Sequence, residues 1–376
     1  MRQIKKFTAF LTMVAIVAGI LVLLISANAV TAPAFTGATV TRSADGTQLA
    51  FSWTNSGSLG QVSVLFSTKA DSVASGKVVA IVKGAITATS GSVTIADPCP
   101  NSRPYFQLVS TVGAKISVAE RGLQIAGVIN ARDLGGYKTT DGKYVKWGVL
   151  FRTAELANVT TSGAAYIKNL GVKTIIDLRT PADINKSPEV TFAGITAMHI
   201  NVMGDDFNTK FKDQYPNFNW AALQSTDPPP SPSLMRDYLR MLYRCYIDYA
   251  TPQQEANDFM TFLQTNTSPV IWHCSAGKDR TGLKAATLLY ALGVPEDTIL
   301  KDFMLTNDFV AAANPDGLKR FGADAFYAYY GVDSSYLTTA FNEMKSKYGS
   351  IDNYLTQVCG LTAAKRADLK AHYLQN

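Results

Sequence analysis

Between residues 34 and 125 apolar and polar positions alternate with a period of two. The runs ATVTRS, QLAFSWT, QVSVLFS, KVVAIVK, SVTIA, PYFQLVS and KISVAERGLQI are short and rich in β-branched and aromatic residues. Gly, Ser, Asn, Asp and Pro separate them, the pattern of strands joined by turns. Such a series of short strands predicts an all-β sandwich over 34–125. After residue 125 the period changes. INARDLGGYKTTDGKYVKWGVLFRTAEL predicts an irregular segment and a hairpin turning at Thr140, Asp141 and Gly142. TSGAAYIKNLG reads as a helix, and VKTIIDLR and ITAMHINV as strands. SLMRDYLRMLYRCYIDYA and PQQEANDFMTFLQTN are helices, SPVIWHC is a strand, and RTGLKAATLLYALG is a helix starting near Thr281 and closed by Gly293. PEDTILKDFMLTNDF, SYLTTAFNEMKSKYG and TAAKRADLKAHYLQ continue the helical text. Strands alternating with helices predict an α/β unit over 126–376, with a mostly parallel central sheet flanked by helices. The stretch 204–232, ending in DPPPSPS, reads as too polar and broken for core and is expected to be a long loop or lid.

The N-terminus follows a different logic. Arg2, Lys5 and Lys6 precede an uncharged apolar run that ends in Ala27-Asn28-Ala29, the arrangement of a secretory signal with a small-x-small cleavage site. The apolar run is close to spanning length, so an uncleaved membrane anchor is the competing reading of 1–29. Either reading places the remainder outside the cytoplasm, secreted or anchored. Cys99, Cys245, Cys274 and Cys359 are too few and too scattered for a disulfide framework. The formal charge of +6 over 376 residues comes without a long Lys/Arg run, which gives no case for a nucleic-acid partner.

The chemistry gathers in VIWHCSAGKDRTG, residues 270–282. An apolar strand, a six-residue turn SAGKDR and a helix start direct successive backbone N–H groups into one concavity, where the helix dipole adds positive potential. Ser275, Ala276, Gly277, Lys278, Asp279 and Arg280 would then form a cradle for a dianionic phosphate. A cysteine at its mouth, Cys274, is expected to be present as the nucleophilic thiolate. Arg280 is placed to curl back and offer two parallel N–H bonds to phosphate oxygens, a task for which lysine is poorly shaped. Gly277 permits a tight bend, and the Thr281 hydroxyl is expected to donate to the thiolate. Attack of sulfur on phosphorus would give a phosphocysteine that water hydrolyses, with no cofactor or metal.

Other motifs fail on particular residues. A nucleotide P-loop would need Gly where Trp272 stands and Ser or Thr where Asp279 stands. A GxSxG elbow fails at His273. Zinc is poorly served, without HExxH or a CxxC pair.

HCSAGKDRTG resembles the HCx5R signature of the protein tyrosine and dual-specificity phosphatases. With Lys278 and Asp279 it is similar to the bacterial tyrosine phosphatase family carrying HCxxGKDRTG. INARDLGGY, IIDLRTPAD, KDFMLTN and the closing YGS and YL segments extend the likeness over about 125–376. The resemblance implies hydrolysis of phosphotyrosine in proteins and of phosphoinositides. It implies Cys274 as nucleophile, Arg280 as phosphate and transition-state ligand, and His273 as a group that holds the thiolate rather than a base. Lys278 would add charge for a dense anionic headgroup, or be a solvated lysine. Arg132 and Asp133 of NARDLGG, and Arg179 of IDLR, would line or brace the pocket, or form structural ion pairs. For the general acid the family points to Asp279; Asp205, Asp206, Asp237 and Asp248 remain open by sequence. The strand-rich half resembles fibronectin type III-like domains, with Trp53 and Tyr105 where these keep a core Trp and a corner Tyr. Its ligand is not legible. A competing reading makes the chain an adhesion or binding protein in which the sandwich works and the phosphatase unit is vestigial; retention of both Cys274 and Arg280 speaks against it.

Overall fold

A computed structural model describes residues 32–376 except 87–88, 101, 205–206 and 228, and the side chains of 83–86. The leader predicted at 1–29 lies outside the described residues. Among those described, no helix is long and apolar enough to cross a membrane.

The period of two does what it predicts. In β2, Gln48–Asn55, Leu49, Phe51 and Trp53 are buried and the residues between them exposed, because successive side chains of a strand leave opposite faces. β2 pairs antiparallel with β1, Phe35–Arg42, and β5, Ser90–Ala96. A second antiparallel sheet has the order β4-β3-β6-β7, from β3, Gly60–Ser67, β4, Lys77–Ile86, β6, Tyr105–Ser110, and β7, Lys115–Ala119. The inner faces meet through Leu49, Phe51 and Trp53 against Val62, Val64, Phe106 and Leu108. Phe51 and Phe106 pack edge to face at 4.8 Å. Burial of each such side chain stabilises the sandwich by roughly 1.5–3 kcal/mol. Every predicted run forms a strand, but the last is cut short at Ala119. Tyr105, expected as a corner residue, is buried with Ala119 and Trp147 at the seam with the second unit.

The second unit is built on a five-stranded sheet. β10, Leu150–Thr153, β11, Thr174–Asp177, β12, Thr196–His199, and β13, Val270–His273, run parallel in the order β12-β11-β13-β10. β8, Arg132–Asp133, lies antiparallel on the outer edge of β10. All four residues of β13 are buried, as a central strand covered on both faces requires. Phe151, Ile175 and Ile271 face a cluster with Ile167 of the helix Thr161–Asn169. Leu150, Ile176 and Trp272 face the larger cluster, which takes in the helices Pro232–Asp248, Ala250–Thr265 and Asp279–Leu292. The predicted hairpin closes at Gly142, φ 87°, whose N–H donates to the Thr139 carbonyl, and leads into β9, Tyr144–Val145.

The segment 204–232 corrects its reading. It holds two helices, Phe207–Gln214 and Trp220–Gln224, and Phe207 and Phe211 are fully buried in the main core. Their rings meet Tyr246 at 5.8 Å and Tyr238 at 5.5 Å on the helix Pro232–Asp248. The polar text hid an aromatic pair spaced i, i+4, which places both rings on one helical face.

Candidate active site

Cys274 follows β13 directly, and the helix Asp279–Leu292 starts five residues on. The connecting turn is held from its outer side. The Ser275 carbonyl accepts from Glu155 N, 3.1 Å. Those of Ala276 and Gly277 accept from Asn130 Nδ2 at 3.1 and 3.0 Å. Arg152 Nη2 donates to the Gly277 carbonyl at 2.8 Å and the Lys278 carbonyl at 3.4 Å. A planar trans peptide sets its N–H opposite its C=O, so four carbonyls drawn outward turn the N–H groups of Ala276, Gly277, Lys278 and Asp279 inward. That is the cradle the motif predicts, and its cause is the bracing behind it.

The braces are themselves fixed. Asn130 has a left-handed backbone, φ 54°, and its Oδ1 accepts from Arg132 Nη1 at 2.5 Å. Arg132 donates from Nε to Asp302 Oδ1 at 3.2 Å, and Arg152 from Nη1 to Asp302 Oδ2 at 3.1 Å. Burial works against the charge of Asp302, but the two guanidiniums outweigh it and hold the carboxyl at about 2. Both arginines are fully buried. None of Asn130, Arg152 and Asp302 is singled out by sequence pattern, although Asn130 and Asp302 lie inside the flanking motifs INARDLGGY and KDFMLTN.

Arg280 curls back as predicted, to an unpredicted partner. Its Nη1 donates to Asp183 Oδ2 at 2.8 Å, and its Nη2 to Ser275 Oγ at 3.4 Å. Burial opposes the Arg280 charge, yet Cys274, Tyr246 and Asp183 outweigh it and raise its pKa. Asp183 in turn is pushed up by burial and pulled below the usual carboxylate range by Arg280. It closes the TPAD run and also caps the helix Pro181–Lys186 through Thr180.

Several expectations need correction. Asp133 does not reach the loop: it is fully buried, bonded to Arg103 Nη2 at 3.0 Å and to the N–H groups of Gly135 and Gly148. Of the alternatives open for these two residues, Arg132 takes the bracing role and Asp133 the structural ion pair. The imidazole of His273 meets the Cys274 carbonyl, Nδ1 at 3.3 Å, a backbone bond compatible with its expected role of supporting the thiolate indirectly. Burial, partly offset by Asp177, lowers the His273 pKa to about 4, so the ring is neutral near pH 7. The helix begins at Asp279, so Thr281 lies inside its first turn; its hydroxyl is buried without a hydrogen-bond partner among the described residues. Lys278 is neither solvated nor aimed at the cradle, because its Nζ donates to the carbonyls of Tyr329 and Gly331 at 3.1 and 3.0 Å.

Among the acid candidates, Asp279 Oδ1 accepts from Tyr243 Oη at 3.1 Å. Burial keeps that phenol protonated and therefore a donor. Asp237 pairs with Arg240 on an exposed helix face, and the half-buried Asp248 pairs with Lys347. Asp205 and Asp206 lie outside the described residues. Asp177, Glu189 and His273 bring ligand-type atoms within 4.8 Å of one another, but this cluster carries its own cation. Arg179 donates to Asp177 at 2.8 Å, Glu189 at 2.6 Å and Glu155 at 2.9 Å. Arg179 is thus a structural brace. All four cysteines are free thiols.

Comparison with known proteins agrees with this geometry. A tyrosine-phosphatase protein of Cupriavidus necator, its name provisional, is 28% identical over 263 residues, covering 66% of this chain and 86% of its own. A triple specificity protein phosphatase of Mycobacterium tuberculosis is 26% identical over 259 residues, 62% of this chain and 92% of its own. Among solved structures, P. aeruginosa TpbA in complex with pTyr aligns over 47% of this chain and 88% of its own, at 17% identity and a TM-score of 0.20. The model of the tyrosine phosphatase family matches residues 123–375. The chain therefore belongs to the tyrosine phosphatase family and is a protein-tyrosine phosphatase.

Proposed function

We propose that this enzyme hydrolyses phosphotyrosine through a phosphocysteine on Cys274, outside the cytoplasm. The observation that carries the reading is the loop itself, with four carbonyls drawn outward and the Arg280 guanidinium turned back over it. A phosphate dianion in the cradle would meet the inward N–H groups and share Arg280 with Asp183. The Cys274 sulfur donates its electron pair to phosphorus, and the P–O bond to the phenol breaks. Asp279 supplies the proton to the leaving oxygen. The Asp279 carboxylate then takes a proton from water, which attacks the phosphocysteine; the P–S bond breaks and inorganic phosphate leaves. Tyr243 orients that carboxylate. In this account Asp279→Asn lowers kcat by about 10²-fold. The loss is expected to shrink on p-nitrophenyl phosphate, whose leaving group hardly needs a proton; an equal loss on both substrates would assign the proton to another group.

Phosphoinositides form the second substrate class in this proposal. A headgroup with further phosphates would need Lys278 to exchange two backbone carbonyls for phosphate oxygens. Lys278→Met is then expected to lower phosphoinositide hydrolysis about tenfold more than hydrolysis of a phosphotyrosine peptide. An equal loss on both, with a lower unfolding temperature, would make Lys278 a tether for the Tyr329–Gly331 segment alone. Extracytoplasmic placement is supported by the Arg2, Lys5 and Lys6 cluster and the apolar run after it. N-terminal sequencing of the exported protein tests it, with a first residue of Val30 expected.

A further inference from the structure

The strand β8 is two residues long, and its side chains leave in opposite directions. Arg132 runs toward the loop side, to Asp302 and to Asn130, whose amide holds the Ala276 and Gly277 carbonyls. Asp133 runs to the sandwich, where Arg103 Nη2 bonds it at 3.0 Å. Arg103 stands just before β6 and is fixed by the Glu120 carbonyl at 2.7 Å, with its guanidinium 5.1 Å from the Tyr105 ring. β8 has one strand neighbour, β10; its other side is held by the segment leaving the sandwich, through Asp133 N to the Arg121 carbonyl and Leu123 N to the Ala131 carbonyl. The seam is tight on the same line. A Cβ on Gly148, whose N–H also bonds Asp133, would lie 2.9 Å from the Tyr105 hydroxyl. Trp147 Nε1 donates to the Ser117 carbonyl of β7 at 3.2 Å.

We infer that the β-sandwich is a working part of the phosphate loop: Arg103, through Asp133, holds β8 where Arg132 and Asn130 can draw the Ala276 and Gly277 carbonyls outward. The inference rests on Cys274 to Arg280 being the phosphate site. Arg103 is a positioning residue that lies before the family match, which starts at residue 123. The ion pair is almost wholly buried, 3% and 0% side-chain exposure, so removing the cation strands a buried carboxylate and moves the strand that carries it. Small displacements of groups that bind a transition state are costly, because their alignment is most of what they contribute.

The test uses the full chain with Arg103→Met, Arg103→Lys and a control, Leu49→Ala, which weakens the sandwich core away from the seam. Three quantities are read: unfolding temperature, affinity for inorganic phosphate by calorimetry, and kcat on p-nitrophenyl phosphate well below unfolding. Arg103→Met is expected to weaken phosphate binding and to lower kcat, each by about tenfold. Arg103→Lys, which keeps the charge and loses the fork, should fall about midway. Leu49→Ala should lower the unfolding temperature while both other quantities stay within about twofold of the parent. Should Arg103→Met fail to fold, Arg103→Lys against Leu49→Ala carries the comparison. Unchanged phosphate affinity in the Arg103 variants, or an equal loss in Leu49→Ala, overturns the inference. A parent chain that binds phosphate without hydrolysing the ester sinks the phosphatase reading and leaves the coupling measurable by binding alone.

Discussion

Replacing Cys274 by Ser is expected to lower kcat for aryl phosphate hydrolysis by at least about 10⁴-fold, with phosphate affinity within a few-fold of the parent. The two halves of this expectation come from different parts of the site. Turnover needs a strong nucleophile, and a serine hydroxyl has no base to activate it here: burial leaves His273 with a pKa of about 4 despite Asp177, and its ring faces a backbone carbonyl. Binding is built from inward N–H groups and Arg280, whose positions depend on Asn130, Arg152, Glu155 and Asp183. None of these braces acts through the sulfur. A variant that lost turnover and binding together would mean that the thiolate shapes the loop.

Gly277→Ala is expected to cost on the order of 2–4 kcal/mol of stability and about 10²-fold in kcat/KM. The backbone there is left-handed, φ 65°, and a Cβ would lie 2.4 Å from the Thr153 carbonyl oxygen and 2.6 Å from Ala154 N. Those atoms end β10, which is paired on both sides and cannot yield. The turn must move instead, which takes the Gly277 carbonyl away from Asn130 and Arg152 and rotates the next N–H out of the cradle. Gly142 supplies the comparison: its φ is 87°, but a Cβ would meet nothing within 4 Å. Gly142→Ala should cost only about 1 kcal/mol and leave kinetics untouched. Thermal unfolding with steady-state assays on the two variants separates local strain from displacement of the loop.

What the sequence discloses follows from how locally each feature is encoded. The cradle is one contiguous segment between a strand and a helix, so Cys274, Gly277 and Arg280 carry its pattern within a few residues. The seven sandwich strands are legible for a similar reason, since alternation is a property of each run alone. Bracing is different. Asn130 and Arg152 reach the Gly277 carbonyl from 147 and 125 residues away, and contacts of that kind follow no period. Asp133 shows the same limit in miniature. Beside Arg132 in NARDLGG it reads as a partner in one task, but neighbours in a strand point to opposite sides, and this one faces the sandwich. Lys278 sits in the signature yet is spent on the Tyr329 and Gly331 carbonyls, which only the folded chain brings near. Phe207 and Phe211 were masked by polar neighbours, although their spacing already placed them on one helix face.

Cys274 is expected to become phosphorylated on a loop that needs no metal. The most direct measurement is acid quench of the full chain turning over a phosphotyrosine peptide in EDTA, followed by tandem mass spectrometry to locate the phosphoryl group. A phosphoryl adduct is expected on Cys274, formed within the first turnover and absent in Cys274→Ser. Turnover that stops in EDTA, or an adduct on any other residue, would contradict it.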